Sequence, residues 1–299
     1  MPVRPQRQTA PKPTPTITSA STPTTPLPNG SVLSRIAPIG FDANEGIKIN
    51  LYGRSGTGKT TLWGTFPKPI LAVICSGGSK PGELRSLDTP ENRGQISQVV
   101  LNESKELLEI VGYVSSSGQF KTVVLDHATG FQDLVLKEIL GLEEIPAQKT
   151  WGLASQQQYG QLALQCKEFL RALLGLSSHV VIVAQEREFN TEGTSDLILP
   201  SVGSGLTPSL TGWLNTAVDY ICQTYIRLKT VQKQTTVGVG KLAKTISTTQ
   251  VVAGEVEYCL RTAPDPVFTT KFRLPKGRTL PTEIVDPDFS KIYELIRGR

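Results

Sequence analysis

The sequence predicts an α/β fold in which a mostly parallel central sheet is covered by helices on both faces and followed by a C-terminal antiparallel hairpin. Three observations carry this prediction. Residues 70–75, 122–126 and 180–185 are short, nearly continuous apolar runs, and 220–226 reads as another; strands buried on both faces of a parallel sheet have this pattern, whereas half-exposed strands alternate. Helix-compatible stretches separate the runs, so right-handed crossovers would lay them side by side in one sheet. Finally, a glycine-rich turn at residues 53–60 joins the strand-like residues 47–52 to a helix-compatible stretch, at the strand end where ligands bind in such sheets.

The elements follow in order. The helix beginning near Lys59 runs toward Phe66, where Pro67 and Pro69 stop it. Residues 76–79 form a turn, and 99–101 form a brief strand. Residues 103–114 place Leu107, Leu108 and Val111 on one helical face. Residues 131–142 and 156–176 read as helices, the second closed near Gly175. Residues 255–261 and 267–273 alternate apolar and polar side chains on either side of Pro264-Asp265-Pro266, which predicts that they pair as a hairpin. Residues 289–296 read as a final short helix.

A chain of 299 residues with 38% hydrophobic and 19% charged side chains can bury a substantial core. The four cysteines, Cys75, Cys166, Cys222 and Cys259, form no Cys-x-x-Cys pair. That spacing argues against a zinc site or a disulfide framework and fits free thiols in a reducing compartment. The two histidines, His127 and His179, read as a packed or capping residue and a loop residue before a strand. No apolar run approaches the length that spans a bilayer, and the start lacks the apolar core of a signal peptide, so a cytoplasmic location without membrane association is expected.

The net charge of +5 is unevenly placed. Residues 1–30 are rich in Pro, Thr and Ser and read as a disordered basic tail. Residues 227–250 carry Arg227, Lys229, Lys233, Lys241 and Lys244 with no acid. Within them, 231–250 read either as a basic mobile loop that tracks a phosphate backbone or as a solvated linker. No aromatic residue lies there for base stacking, which argues against sequence-specific reading.

Gly53-Arg54-Ser55-Gly56-Thr57-Gly58-Lys59-Thr60 matches G-x-x-x-x-G-K-[ST]. Glycines let backbone N–H groups turn inward around phosphate oxygens, the lysine reaches the β- and γ-phosphates, and the hydroxyl serves Mg²⁺. ATP and Mg²⁺ are therefore the expected ligands, held by residues 53–60 and Thr61. Asp126 closes an apolar strand downstream, where a second metal-holding carboxylate is needed beside Thr60. A hydrolase also needs a group to orient or deprotonate water. Cys75 and Ser76 end the strand where an acid is often found, leaving Glu83 and Glu186 as candidates, or as solvated surface acids.

The segment 53–61, Leu125-Asp126, Trp151-Gly152 with Tyr159-Gly160, residues 181–186, Leu199-Pro200 and Lys271-Phe272-Arg273 together resemble the phage-encoded RecA-like AAA P-loop ATPases, a family that includes single-strand-annealing recombination proteins. The resemblance covers residues 45–295, and only the phosphate loop is highly specific. It implies an ATPase core over residues 31–230, the basic loop 231–250 and a packed C-terminal unit 251–299. It also implies action on single-stranded DNA in recombination, annealing or replication, and self-association into a ring or filament with ATP between subunits. In a sheet of that order Gln185 ends the strand between those of the phosphate loop and Asp126; its amide would sense the γ-phosphate or serve simply as a polar strand end. Lys271 and Arg273 would reach a neighbour's γ-phosphate, or form an ordinary solvated strand face. A non-catalytic nucleotide switch and a helicase or packaging motor subunit are the competing readings.

Overall fold

Parallel strands covered on both faces need apolar side chains at consecutive positions, and the predicted runs meet that need. The structure, a computed structural model, describes residues 45–75, 84–142, 154–189, 201–237, 244–275 and 277–298. Strand β1 is Lys48–Gly53, β2 Ile70–Ile74, β3 Ile96–Val100, β4 Thr122–Asp126 and β5 His179–Phe189. They are followed by β6 Ser201–Ser204, β7 Tyr220–Val237, β8 Lys244–Arg261, β9 Lys271–Phe272 and β10 Glu283–Val285. The helices are α1 Lys59–Trp63, α2 Glu106–Ser117, α3 Ala128–Leu140, α4 Gln156–Leu174, α5 Pro208–Ala217 and α6 Phe289–Arg297.

The sheet runs β10-β8-β7-β1-β5-β4-β2-β3, with β6 added to β5 and β9 to β7. Pairings from β7 through β1, β5, β4 and β2 to β3 are parallel; those of β8, β9, β10 and β6 are antiparallel. The mostly parallel sheet is thus as expected, and β5 does lie between β1 and β4.

Side-chain alternation divides the core between the two faces. Val123, Leu125, Val180 and Ile182 pack with Leu107, Phe131, Leu170 and Leu214 of α2, α3, α4 and α5. Val124, Val181, Ile49 and Leu51 pack with Leu62 and Trp63 of α1 and with Ile292 and Ile296 of α6. Ser155 caps α4 by accepting from Gln158 N while the Gln158 side chain accepts from Ser155 N, a reciprocal capping box. Among the described residues no helix is long and apolar enough to cross a membrane, and the four cysteines are free and buried.

Three expectations are corrected. Residues 231–237 and 244–250, read as part of a mobile loop, continue β7 and β8 as a long antiparallel ribbon; 238–243 lie outside the described residues. Threonine and valine, abundant there, suit a pleated strand, and the cations that looked unbalanced face acids across the ribbon: Arg227 pairs with Glu257 at 2.9 Å and with Glu283, and Lys229 with Glu255 at 2.7 Å. The second correction concerns residues 255–261 and 267–273, which do not pair with each other. Both lie along the same edge of β7, with Arg261 opposite Gln223 and Lys271 opposite Ile221, so the chain runs in one direction through both. Between them Asp265 accepts from Val267 N and Phe268 N and pairs with Arg261, forming a local excursion rather than a reversal. The antiparallel character read from the alternation is present, with β7 as the partner. The tail 1–30 lies outside the described residues.

The third correction is His179, which opens β5 instead of lying in a loop. Its Nδ1 accepts from Ile47 N at 3.1 Å, and its ring packs edge-on against Phe66 and Phe289. Burial, with the charges of Lys48 and Arg297, pushes its pKa down to about 4. The unfolded imidazole titrates at about 6.5. As pH falls from about 6.5 toward 4 the unfolded chain takes up a proton that the folded chain refuses, so stability falls with pH. Urea midpoints measured from pH 7 to 4.5 should therefore decline, and His179→Gln should flatten the decline; an unchanged slope in the variant would assign it to other groups. Core packing gives a second expectation. Leu170→Ala should cost about 2–5 kcal/mol, whereas Leu164→Ala on the exposed side of the same helix, 70% accessible, should stay within about 0.5 kcal/mol by equilibrium denaturation.

Candidate functional site

Because β1, β4 and β5 run parallel, their carboxyl ends meet at one edge of the sheet. Gly53 is level with Gln185, and Asp126 ends the strand on the far side of β5. The loop leaving β1 curls at this edge, and Gly56 and Gly58 take φ of 80° and 83°, which side chains disfavour. Gly53 is required by close approach instead: a Cβ there would sit 2.3 Å from Thr224 Oγ1 and 2.4 Å from Thr224 O.

The loop is pinned from below and bridged from above. The Thr57 hydroxyl donates to Arg54 O at 2.8 Å and accepts from the Thr224 hydroxyl at 2.7 Å, with Tyr52 O a further 3.3 Å neighbour of the Thr224 oxygen. Lys59 Nζ arches back to Gly53 O and Arg54 O at 2.7 and 2.6 Å. Burial lowers the lysine pKa, a shift that the fields of Asp126 and Glu186 oppose.

A cavity of about 760 Å³ opens over the loop, lined by residues 55–61 together with Asp126, His127, Gln185, Tyr258 and Asp286. Asp126 accepts from Trp63 Nε1 at 3.1 Å, which orients its carboxylate. The Thr60 hydroxyl and the Asp126 carboxylate border this one cavity, and hard oxygen donors of this kind suit Mg²⁺ completed by water and phosphate oxygens. The glycine turns and Lys59 suit a triphosphate. The residues present therefore fit both expected ligands. His127 caps α3 by accepting from Gly130 N at 2.8 Å, the capping role that the sequence favoured over a base.

The remaining candidates are placed differently. Gln185 lines the cavity, with its backbone N–H 3.3 Å from the Thr129 hydroxyl. Glu186, one residue on, is turned to a different set of partners: Arg54 Nε at 3.1 Å and Gln223 Nε2 at 2.7 Å. Arg54, expected to contact the nucleotide, thus directs its side chain to Glu186 while its carbonyl serves Lys59 and Thr57. Glu83 lies outside the described residues. Lys271 and Arg273 are at the other end of the sheet, where Lys271 Nζ donates to Asn215 O at 2.8 Å and Val218 O at 2.5 Å, and Arg273 pairs with Asp219 at 2.5 Å. Within one chain they secure the corner between α5 and β7 and do not reach the cavity.

Several participants escaped the sequence reading. Trp63 lies one helical turn beyond Lys59, a spacing that puts both on one side and was readable. Gln223 and Thr224 are polar residues inside the otherwise apolar run 220–226, a pattern that marks a buried polar contact. Tyr258 and Asp286 depend on the register of β8 and β10, for which the sequence offers no local signal.

A loop of this sequence at the carboxyl edge of a parallel sheet, with Lys59, Thr60 and Asp126 around one cavity, defines a P-loop nucleotide-binding protein. The chain belongs to the AAA domain family, whose model matches residues 45–274. No curated protein shows a significant match to the chain. Among solved structures, the chain is similar to a KaiC-like protein from Pyrococcus horikoshii (15% identity, TM-score 0.34, 69% of this chain and 84% of that one). It is also similar to the flagellar accessory protein FlaH from Methanocaldococcus jannaschii (10%, 0.39, 81% and 85%) and to the RadB recombinase (17%, 0.38, 73% and 88%).

The Thr57–Thr224 contact gives a direct expectation. Thr224→Val keeps the shape but removes the anchor, and at about 1 kcal/mol per buried hydrogen bond it should weaken triphosphate binding about fivefold. Titration calorimetry on wild type and variant measures this; equal affinities would show that the anchor does not set the loop.

Proposed function

We propose that this protein binds ATP with Mg²⁺ and hydrolyses it, and that it acts on single-stranded DNA as a self-associating P-loop ATPase. The observation that carries the ATP reading is the single cavity shared by the phosphate loop, Asp126 and Gln185. Backbone N–H groups and Lys59 hold the phosphates, Thr60 and Asp126 hold the metal, and bound Mg²⁺ would supply charge neutralisation at the β- and γ-oxygens. The Gln185 amide, at the cavity wall on the strand next to β1, would bond the γ-phosphate or an attacking water.

Self-association is supported by the ribbon beside the cavity. Ile226 lies opposite Tyr258 and Leu228 opposite Val256, so the four share one face, and each is between 43% and 54% exposed. An apolar strip continuous with a wall of the nucleotide cavity is suited to contact with a second copy that also touches the nucleotide. For DNA, the support is the reach of the ribbon past the phosphate loop, with exposed Gln232 and Lys233 toward its tip. A phage origin, and a role in recombination or annealing, extend this reading through the family resemblance.

One observation favours a second reading, a nucleotide-dependent switch. Cys75 is buried where an acid is often found, its thiol pushed far up by burial, and Glu186 is ion-paired to Arg54. Neither residue is disposed to activate water in this arrangement.

Phosphate release measured with and without single-stranded DNA at two salt concentrations separates the readings. The ATPase reading expects turnover that rises with DNA, a DNA effect that shrinks at the higher salt as backbone contacts are screened, and loss of turnover in Lys59→Ala. Tight ATP binding with background turnover under all conditions would leave the switch.

A further inference from the structure

The cavity extends beyond what phosphates and metal require. Past the loop it is walled by Tyr258 of β8, by Asp286 and Pro287 after β10, and by Leu84 and Ser86. The Tyr258 ring rests against the loop, its Cδ1 3.1 Å from where a Cβ on Gly58 would lie. Asp286 follows β10, three strands from β1 in the sheet, about 14 Å at the usual strand spacing. That offset places the wall on the side of β1 opposite to β4 and Asp126.

Asp286 is unusual in two respects. It is the one residue other than glycine with a positive φ among the described residues, at 46°. Its backbone is held there from both sides: its N–H donates to Tyr258 O at 2.7 Å, and its carbonyl accepts from Lys291 Nζ at 2.6 Å. Its carboxylate, by contrast, makes no hydrogen bond or ion pair among the described residues. The nearby cation Lys229 is committed to Glu255. The side chain is exposed at the cavity wall, and a backbone held in an uncommon conformation beside a cavity is a ground for inferring a ligand contact there.

We propose that this end of the cavity is a purine slot, in which the Tyr258 ring and Pro287 flank the base and the Asp286 carboxylate accepts hydrogen bonds from N–H groups on its six-membered ring. The proposal rests on the nucleotide reading above and adds base selection to it. An ionised carboxylate only accepts, so it favours a base that offers donors and disfavours one that offers only lone pairs. Adenine offers its 6-amino group; guanine offers its ring N1–H and 2-amino group. A purine ring bearing none of these leaves the carboxylate unpaired against lone pairs, and sites built around such pairing reject the analogue that lacks it.

The test is equilibrium binding of ATP, GTP and purine riboside 5′-triphosphate, the last lacking every N–H on that ring, to the full chain. Wild type should bind ATP or GTP at least tenfold more tightly than purine riboside triphosphate; preference for ATP assigns the 6-amino group, and preference for GTP the N1–H and 2-amino group. Asp286→Asn should shrink the ratio severalfold. Asp286→Gly, which suits the positive φ and removes the carboxylate, should do the same and guards against a folding defect. Equal binding of all three by wild type, or a ratio unmoved in both variants, overturns the slot while leaving the phosphate loop reading intact. Failure of all three to bind overturns both.

Discussion

The contact between Gly53 and Thr224 is the constraint around which the nucleotide edge is built. A strand end with no side chain lets β7 lie against β1 so closely that the Thr224 hydroxyl reaches the inside of the phosphate loop. Only because β7 comes this close can the loop be fixed by its own sheet, through one threonine bonded to another. The same approach sets where the ribbon leaves the sheet. Residues beyond Thr224 necessarily pass alongside the loop, and Ile226 and its neighbour Tyr258 become part of the site's surroundings.

From that strand a second line of contacts runs outward. Gln223 donates to Glu186 and accepts from Arg261 Nε at 3.0 Å; Glu186 holds Arg54, and Arg261 holds Asp265 at 2.9 Å. The Arg261 guanidinium also lies 4.9 Å from the centre of the Tyr225 ring and 4.4 Å from that of Phe268, an arrangement that restrains it as well as stabilising its charge. Alternating donors and acceptors thus connect the first variable residue of the phosphate loop to the excursion at residues 262–270. The Arg54 side chain is itself largely exposed, so its ion pair with Glu186 is a weak tie between the loop and this chain of contacts.

What the sequence revealed follows a physical boundary. Chemistry that depends on neighbours in the chain was legible: the phosphate loop needs its residue types at fixed spacing, and buried parallel strands need unbroken apolar runs. The strand order that puts Gln185 beside Gly53 followed from the family resemblance and is the order observed. Contacts that depend on register between distant strands were not legible. The acid-free segment around Arg227 looked like a free basic loop because Glu255, Glu257 and Glu283 lie further along the chain, although they sit across the ribbon in space. Alternation at 255–261 and 267–273 correctly marked extended chain, yet a period of two cannot say which strand is the partner or in which direction the chain runs. Tyr258 and Asp286 belong to the same class, since each acquires its place only from pairing with an adjacent strand.

These contacts also bear on how a carboxylate could be delivered to a γ-phosphate when Cys75 occupies the position at the end of β2. Glu186 is adjacent in sequence to Gln185, but alternation along β5 sends the two side chains to opposite faces; Gln185 reaches the cavity and Glu186 reaches Arg54 and Gln223. A rotation of the Glu186 side chain alone cannot reverse that alternation. Bringing it to the cavity demands a change of the β5 backbone, which at Glu186 is tied to Ser204 of β6, and Ser204 in turn accepts from Asn50 of β1 at 2.7 Å. Within a single chain, then, Glu186 is committed to Arg54 and Gln223 and is not disposed to activate water. Of the two neighbouring side chains at this strand end, Gln185 is the one that lines the cavity.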